Sequence, residues 1–107
     1  MLTREEARAL VVAELERPPK YNYANTPKDV VVVDKLTIER SWGWVFFYNT
    51  QRYLETRNFR DALAGNAPFI VNRYTGELRV TGTAHPIEHY IAEYKRSLLG
   101  WRRFLPW

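Results

Sequence analysis

His85-Pro86-Ile87-Glu88-His89 spells His-x-x-Glu-His, the inverted signature of a zinc hydrolase. That chemistry needs two imidazoles on one helical face, one turn apart, with a glutamate base beside the metal. Pro86 argues against it. Proline suits the first position of a helix, so His85 falls at or before the cap while His89 lies inside. A third ligand has to come from downstream, where Glu93 is the only acid. The expected roles are a cap-region residue for His85 and a polar-face residue for His89, with no metal and no cofactor. Nucleophiles give no stronger case. Ser41 and Ser97 lack a Gly-x-Ser-x-Gly elbow, and the glycines are too scattered for a phosphate loop. Glu55 and Asp61 share one connection, but spacing alone does not make a catalytic pair. The expectation is a protein without catalytic residues.

Aromatics are the next candidates. Interleaved aromatic and basic residues can bind single-stranded nucleic acid by stacking and phosphate contact. Trp42, Trp44, Phe46 and Tyr48 instead alternate along one strand with few charges between them, a core pattern. Nucleic acid is therefore not the expected partner. The tail 101–107 is different, since Trp101, Phe104, Leu105 and Trp107 surround Arg102 and Arg103. Trp and Arg are favoured in binding hot spots. Two readings stay open: the tail caps the core, or it is exposed for binding.

Composition bounds the rest. A chain of 107 residues reads as one domain, 1–107. Such a chain buries roughly 60–70% of its unfolded surface. Hydrophobic residues at 46% and aromatics at 15% fit a packed core and argue against disorder. The absence of cysteine excludes disulfides and thiolate metal sites and suits a reducing cytosol. No apolar run approaches the roughly 18 residues that span a membrane. Acids at Glu5 and Glu6 stand where a signal peptide would be apolar. A cytoplasmic location is expected. The net charge is +4, and Lys95, Arg96, Arg102 and Arg103 account for it. Such an end can meet an acidic partner or simply aid solubility.

The elements that must position these residues follow from periodicity. Thr3 and Glu6 stand in capping-box spacing, and Ala7, Leu10, Val11 and Leu15 make a helical stripe that Pro18-Pro19 ends. Val30 to Arg40 reads as a strand with a bulge or change of face at Asp34-Lys35. Trp42 to Tyr48 reads as a central strand covered on both faces, joined to the preceding one by a tight hairpin or continuing it as a bent ribbon. In the connection 50–67, Tyr53, Leu54, Phe59, Ala62 and Leu63 predict a packed loop with one helical turn. Phe69–Arg73 and Leu78–Thr81 flank the Tyr74-Thr75-Gly76 turn as a hairpin. Ile87, Tyr90, Ile91, Tyr94 and Leu98 stripe a second helix that starts near Pro86 and stops at Gly100. The expected fold is α+β, a four-stranded antiparallel sheet flanked by an N-terminal and a C-terminal helix, in the order α-β-β-β-β-α.

Gly43-Trp44 with its aromatic strand, Tyr48-Asn49, Tyr53-Leu54-Glu55-Thr56, Gly65-Asn66-Ala67-Pro68, Tyr74-Thr75-Gly76, Gly82-Thr83 and Glu88-x-Tyr90-Ile91 follow one another in fixed order. This block, 43–94, resembles the immunity-protein-35 domain of bacterial polymorphic-toxin systems. The resemblance implies an α+β domain without catalysis that binds a cognate protein toxin and blocks its activity. It further implies that Trp44, Gly65, Gly76 and Gly82 serve the fold, while specificity lies on exposed loops and the tail. Arg52, Tyr53, Arg57 and Arg60 in the loop, with Trp101, Arg102, Arg103 and Trp107 in the tail, are the expected partner contacts. The excess of basic residues predicts an acidic surface on the toxin. A general protein-binding or chaperone-like module is the alternative. Partner count separates the two, and the oligomeric state stays open.

Overall fold

The computed structural model describes residues 1–17, 30–63 and 66–98. Helix α1, Arg4–Glu16, starts with the expected capping box: Glu6 N donates to Thr3 Oγ1 at 3.2 Å and Thr3 N to Glu6 Oε1 at 3.0 Å. Ala7 and Val11 are buried and Leu15 packs beside them. Leu10 was expected in that stripe but is exposed, because it stands one residue, about 100°, around the helix from Val11.

The expected strand Val30–Arg40 is two strands, β1 (Val30–Val32) and β2 (Ile38–Arg40). A 3₁₀ turn at Asp34–Leu36 separates them, with Leu36 N bonded to Val33 O and Thr37 N to Asp34 O. The next strand divides at Phe47 into β3 (Gly43–Phe46) and β4 (Tyr48–Thr50). β1 pairs antiparallel with β4, as Val32 faces Tyr48, and β2 with β3, as Ile38 faces Val45. Val33 N donates to Phe47 O at 2.8 Å and carries the ribbon across the break.

The architecture is α+β with antiparallel pairing throughout, as expected, but in two sheets. One is the pair β1–β4. The other is four-stranded in the order β2-β3-β5-β6, with β5 at Phe69–Asn72 and β6 at Leu78–Val80. A short helix, α2 (Gln51–Thr56), precedes β5, and α3 (Ile87–Leu98) closes the described chain. The single-sheet order α-β-β-β-β-α is thus corrected by the division of two long strands, which adds the two-stranded sheet, while α2 is the helical turn expected in the 50–67 connection.

The large sheet lies between two apolar clusters. Trp44, Phe46, Phe69 and Val71 meet Ala7 and Val11 of α1, while Val45 and Ile70 meet Tyr94 of α3. Covering on both faces explains the apolar run of β3. Trp42 corrects the one-face pattern expected of the four aromatics. It sits in the β2–β3 turn, where strand alternation has ended, and packs on Tyr94 with ring centroids 5.0 Å apart. Asn72 is buried and holds the next turn. Its Oδ1 accepts from Tyr74 N and Thr75 N, and its Nδ2 donates to Tyr94 Oη at 2.9 Å. Burial raises the Tyr94 phenol above its usual range.

Glu39 on β2 joins the edge of the sheet to its centre. Trp44 Nε1 donates to its Oε1 at 3.0 Å and Arg73 Nη2 lies 3.2 Å from its Oε2. The Trp44 bond first, then Arg73, holds this carboxyl below the ordinary carboxylate range. A group depressed in the folded state contributes stability above its unfolded pKa and loses it as pH falls through the folded value. Urea unfolding followed from about pH 6 to about pH 3 is expected to show an acid loss of stability that Glu39→Gln reduces. An identical acid slope in the variant would contradict this role.

Candidate partner-binding surface

Residues 50–63 close on themselves through side chains. The Thr50 hydroxyl caps α2 by accepting from Tyr53 N at 3.0 Å, and donates to Asp61 O at 2.5 Å. Asn49 Oδ1 accepts from both Thr50 N and Leu63 N, which fastens the loop's neck. The Asp61 carboxylate takes Arg52 Nε at 3.2 Å and the Thr56 hydroxyl at 2.6 Å. Asn58 Oδ1 accepts from Arg60 N and starts a 3₁₀ turn at Phe59–Asp61. The loop is therefore a braced platform.

Phe59 stands on that platform 86% exposed. This corrects the expectation that it packs inward. Its placement follows from the short turn, whose inward bonds are taken by Asn58 and Asp61. The signal lay in its flanks, since Arg57-Asn58 and Arg60-Asp61 leave a lone aromatic between polar pairs. Tyr53, Leu54, Ala62 and Leu63 of the same connection are half-buried.

The structure brings Arg52, Tyr53, Arg57 and Arg60 onto this one loop. Arg52, Arg57 and Arg60 are exposed. Arg57 is the C-cap of α2 at φ +58°, and its guanidinium lies 5.9 Å from the Tyr53 ring centre. Beside α2 and the β1–β4 ribbon lies a groove of about 400 Å³, with Val33, Phe47, Tyr48, Tyr53 and Leu54 in its wall and Lys35 and Arg57 at its rim. Lys35 and Leu36 were not among the sequence candidates, because Asp34-Lys35 read only as a strand irregularity. Trp101, Arg102, Arg103 and Trp107, with Gly65, lie outside the described residues.

The histidine motif lies at the start of α3. His85 precedes α3, and its N–H, like that of Ala84, donates to Tyr90 Oη. His89 Nε2 lies 3.3 Å from Glu93 Oε1, and the two imidazoles are tilted by 34° with centroids 4.1 Å apart. Among the described residues no group of three His, Cys, Asp or Glu side chains is placed to hold a metal ion. No helix among them is long and apolar enough to cross a membrane.

The sequence model of the family described as Immunity protein 35 matches residues 5–95. This chain belongs to that family. The match runs from α1 into α3, so it includes both sheets and the braced loop. A relative in Escherichia coli (strain K12), the uncharacterized protein YrhB, is 40% identical over 76 residues, covering 71% of this chain and 81% of its own length. No solved structure gives a significant match. For an immunity-family chain the tail stands apart, since 101–107 lie beyond the matched residues.

Proposed function

We propose that this immunity-family protein neutralises a cognate protein toxin by binding it, without catalysis, and that the 50–63 loop makes the central contact. Phe59 carries the reading: a large aromatic held in solvent on a braced loop, beside Arg57 and Arg60, has the composition of a binding anchor. Anchored aromatics govern dissociation, whereas rim charges set association rate and salt dependence. Membership of the immunity family supports a toxin as the partner. Cationic residues on the loop support an acidic contact surface.

The test is co-expression with each protein encoded by a neighbouring gene that arrests growth when expressed alone, scored by growth rescue and by the affinity of the purified pair. Phe59→Ala is expected to leave the melting temperature nearly unchanged, since it removes little buried surface. It is expected to weaken binding about 30-fold, equal to about 2 kcal/mol, and to lower rescue. Full rescue and unchanged affinity in the variant would move the contact off this loop. Suppressed aggregation of unrelated proteins, without rescue from any one toxin, would support a chaperone-like module instead.

A further inference from the structure

We propose that the groove between the β1–β4 ribbon and α2 receives one bulky apolar side chain of the partner, carried in an acidic stretch of its chain; this rests on the toxin-binding reading above. Three observations point to that occupant. The first is shape and lining. At about 400 Å³ the groove sits low in the roughly 300–1,000 Å³ range of ligand sites, and suits one side chain with its flanking backbone. Val33 is buried, and Phe47 and Leu54 are half-buried, so the recess is largely apolar, with Asn49 and Asn66 as its uncharged polar members, while Leu36 leaves its side chain half in solvent.

The second is charge. The lining holds two cations, Lys35 and Arg57, and no carboxylate. Of the acids nearby, Asp34 takes Arg8 Nε at 2.7 Å and Asp61 takes Arg52 Nε at 3.2 Å, while Glu55 on α2 accepts from Gln51 Nε2 at 3.2 Å and is not part of the lining. Among the described residues neither Lys35 nor Arg57 has a carboxylate within ion-pair distance, so the lining carries two positive charges that no carboxylate there offsets. Two cations around one recess fit an acidic peptide better than a phosphate track, which needs cations along its length.

The third is backbone strain. Arg57 closes α2 at φ +58°, where glycine or asparagine is the ordinary choice. Among the described residues its guanidinium lies over the Tyr53 ring at 5.9 Å and takes part in no hydrogen bond or ion pair. A residue that breaks a local rule without internal compensation marks a position kept for its side chain.

The probe is a capped peptide, acetyl-Asp-Glu-Phe-Asp-Glu-amide, titrated into the full chain and followed by amide NMR shifts. Shifts are expected to concentrate at Val33, Lys35, Tyr53 and Arg57 and to weaken with salt, whereas acetyl-Lys-Lys-Phe-Lys-Lys-amide leaves them unmoved. Arg57→Gly relieves the strained cap, so the melting temperature is expected to hold or rise while peptide affinity falls about fivefold. Lys35→Glu with Arg57→Glu is expected to reverse the peptide preference. Equal shifts from the basic peptide, or the same shifts from a single-stranded oligothymidylate, would overturn the proposal. So would a lack of peptide binding by a protein whose toxin rescue depends on Phe59 but not on Arg57, and the toxin-binding reading would then stand alone. Charge-selective peptide binding by a protein that rescues from no toxin would uphold the groove and remove that reading.

Discussion

Gly43→Ala is expected to destabilise the fold by at least about 3 kcal/mol, or to prevent folding. A β-carbon at this position would lie 2.0 Å from Val71 O and 3.0 Å from Arg73 N, both backbone atoms of the neighbouring segment. The φ of +153° is one that residues with a side chain rarely adopt. Neither conflict can be relieved by a rotamer change. Relief requires β3 and β5 to separate where Gly43 faces Asn72 and Arg73 N donates to Trp42 O at 2.8 Å. Those strands are buried on both faces, so separation also opens the two apolar clusters. Thermal unfolding should show a midpoint lowered by more than about 10 °C. Gly76→Ala is the control, since it shares a positive φ of +75° but meets only Leu2 Cδ1 at 3.7 Å. It should cost about 1 kcal/mol. Equal losses in the two variants would show that conformation alone, not the close approach, makes Gly43 necessary.

Trp44→Ala is expected to cost about 3–5 kcal/mol. The side chain is 1% exposed and packs with Val11, Phe46 and Val71. Truncation removes that packing and also takes the indole away from Arg73, whose guanidinium carbon lies 4.5 Å from the ring centre. It further leaves Glu39 without the hydrogen bond that contributes most to its lowered pKa. Two readouts therefore move together: the denaturation midpoint falls, and the Glu39 carboxyl titrates nearer its ordinary range. Trp44→Phe keeps much of the volume, so it should retain more stability while showing the same titration change. An unchanged midpoint with lost toxin binding would place Trp44 at the interface instead.

Much of the scaffold was legible because each element is locally consistent. The capping box, the Tyr74–Gly76 turn and the α3 stripe depend on residues close in sequence, and their chemistry needs no distant partner. Strand continuity was harder to read. Asp34-Lys35 signalled an irregularity but not a 3₁₀ turn, and Phe47 carries no breaker residue, yet both long strands divide, because the two halves of each join different sheets. Leu10 and Trp42 were misplaced for related reasons: one lies at the margin of a helical stripe, the other just past the end of a strand.

The candidate surface shows the same division. The amino-acid sequence by itself determined the α+β class, the two flanking helices, the antiparallel hairpins, the family, and the concentration of arginines after α2. The class, the helices and the hairpins follow from periodicity and turn chemistry, which are properties of neighbouring residues, whereas the family rested on the resemblance of the ordered block 43–94. Only the tertiary structure decided that Phe59 faces solvent, that Arg57 holds a left-handed cap, and that Lys35 reaches the same groove as Arg57. The physical reason is that an apolar residue type states what burial would gain, not whether space for burial exists. That space is set by β1 lying beside β4 and by Asp61 drawing the loop shut, contacts between residues far apart in the chain.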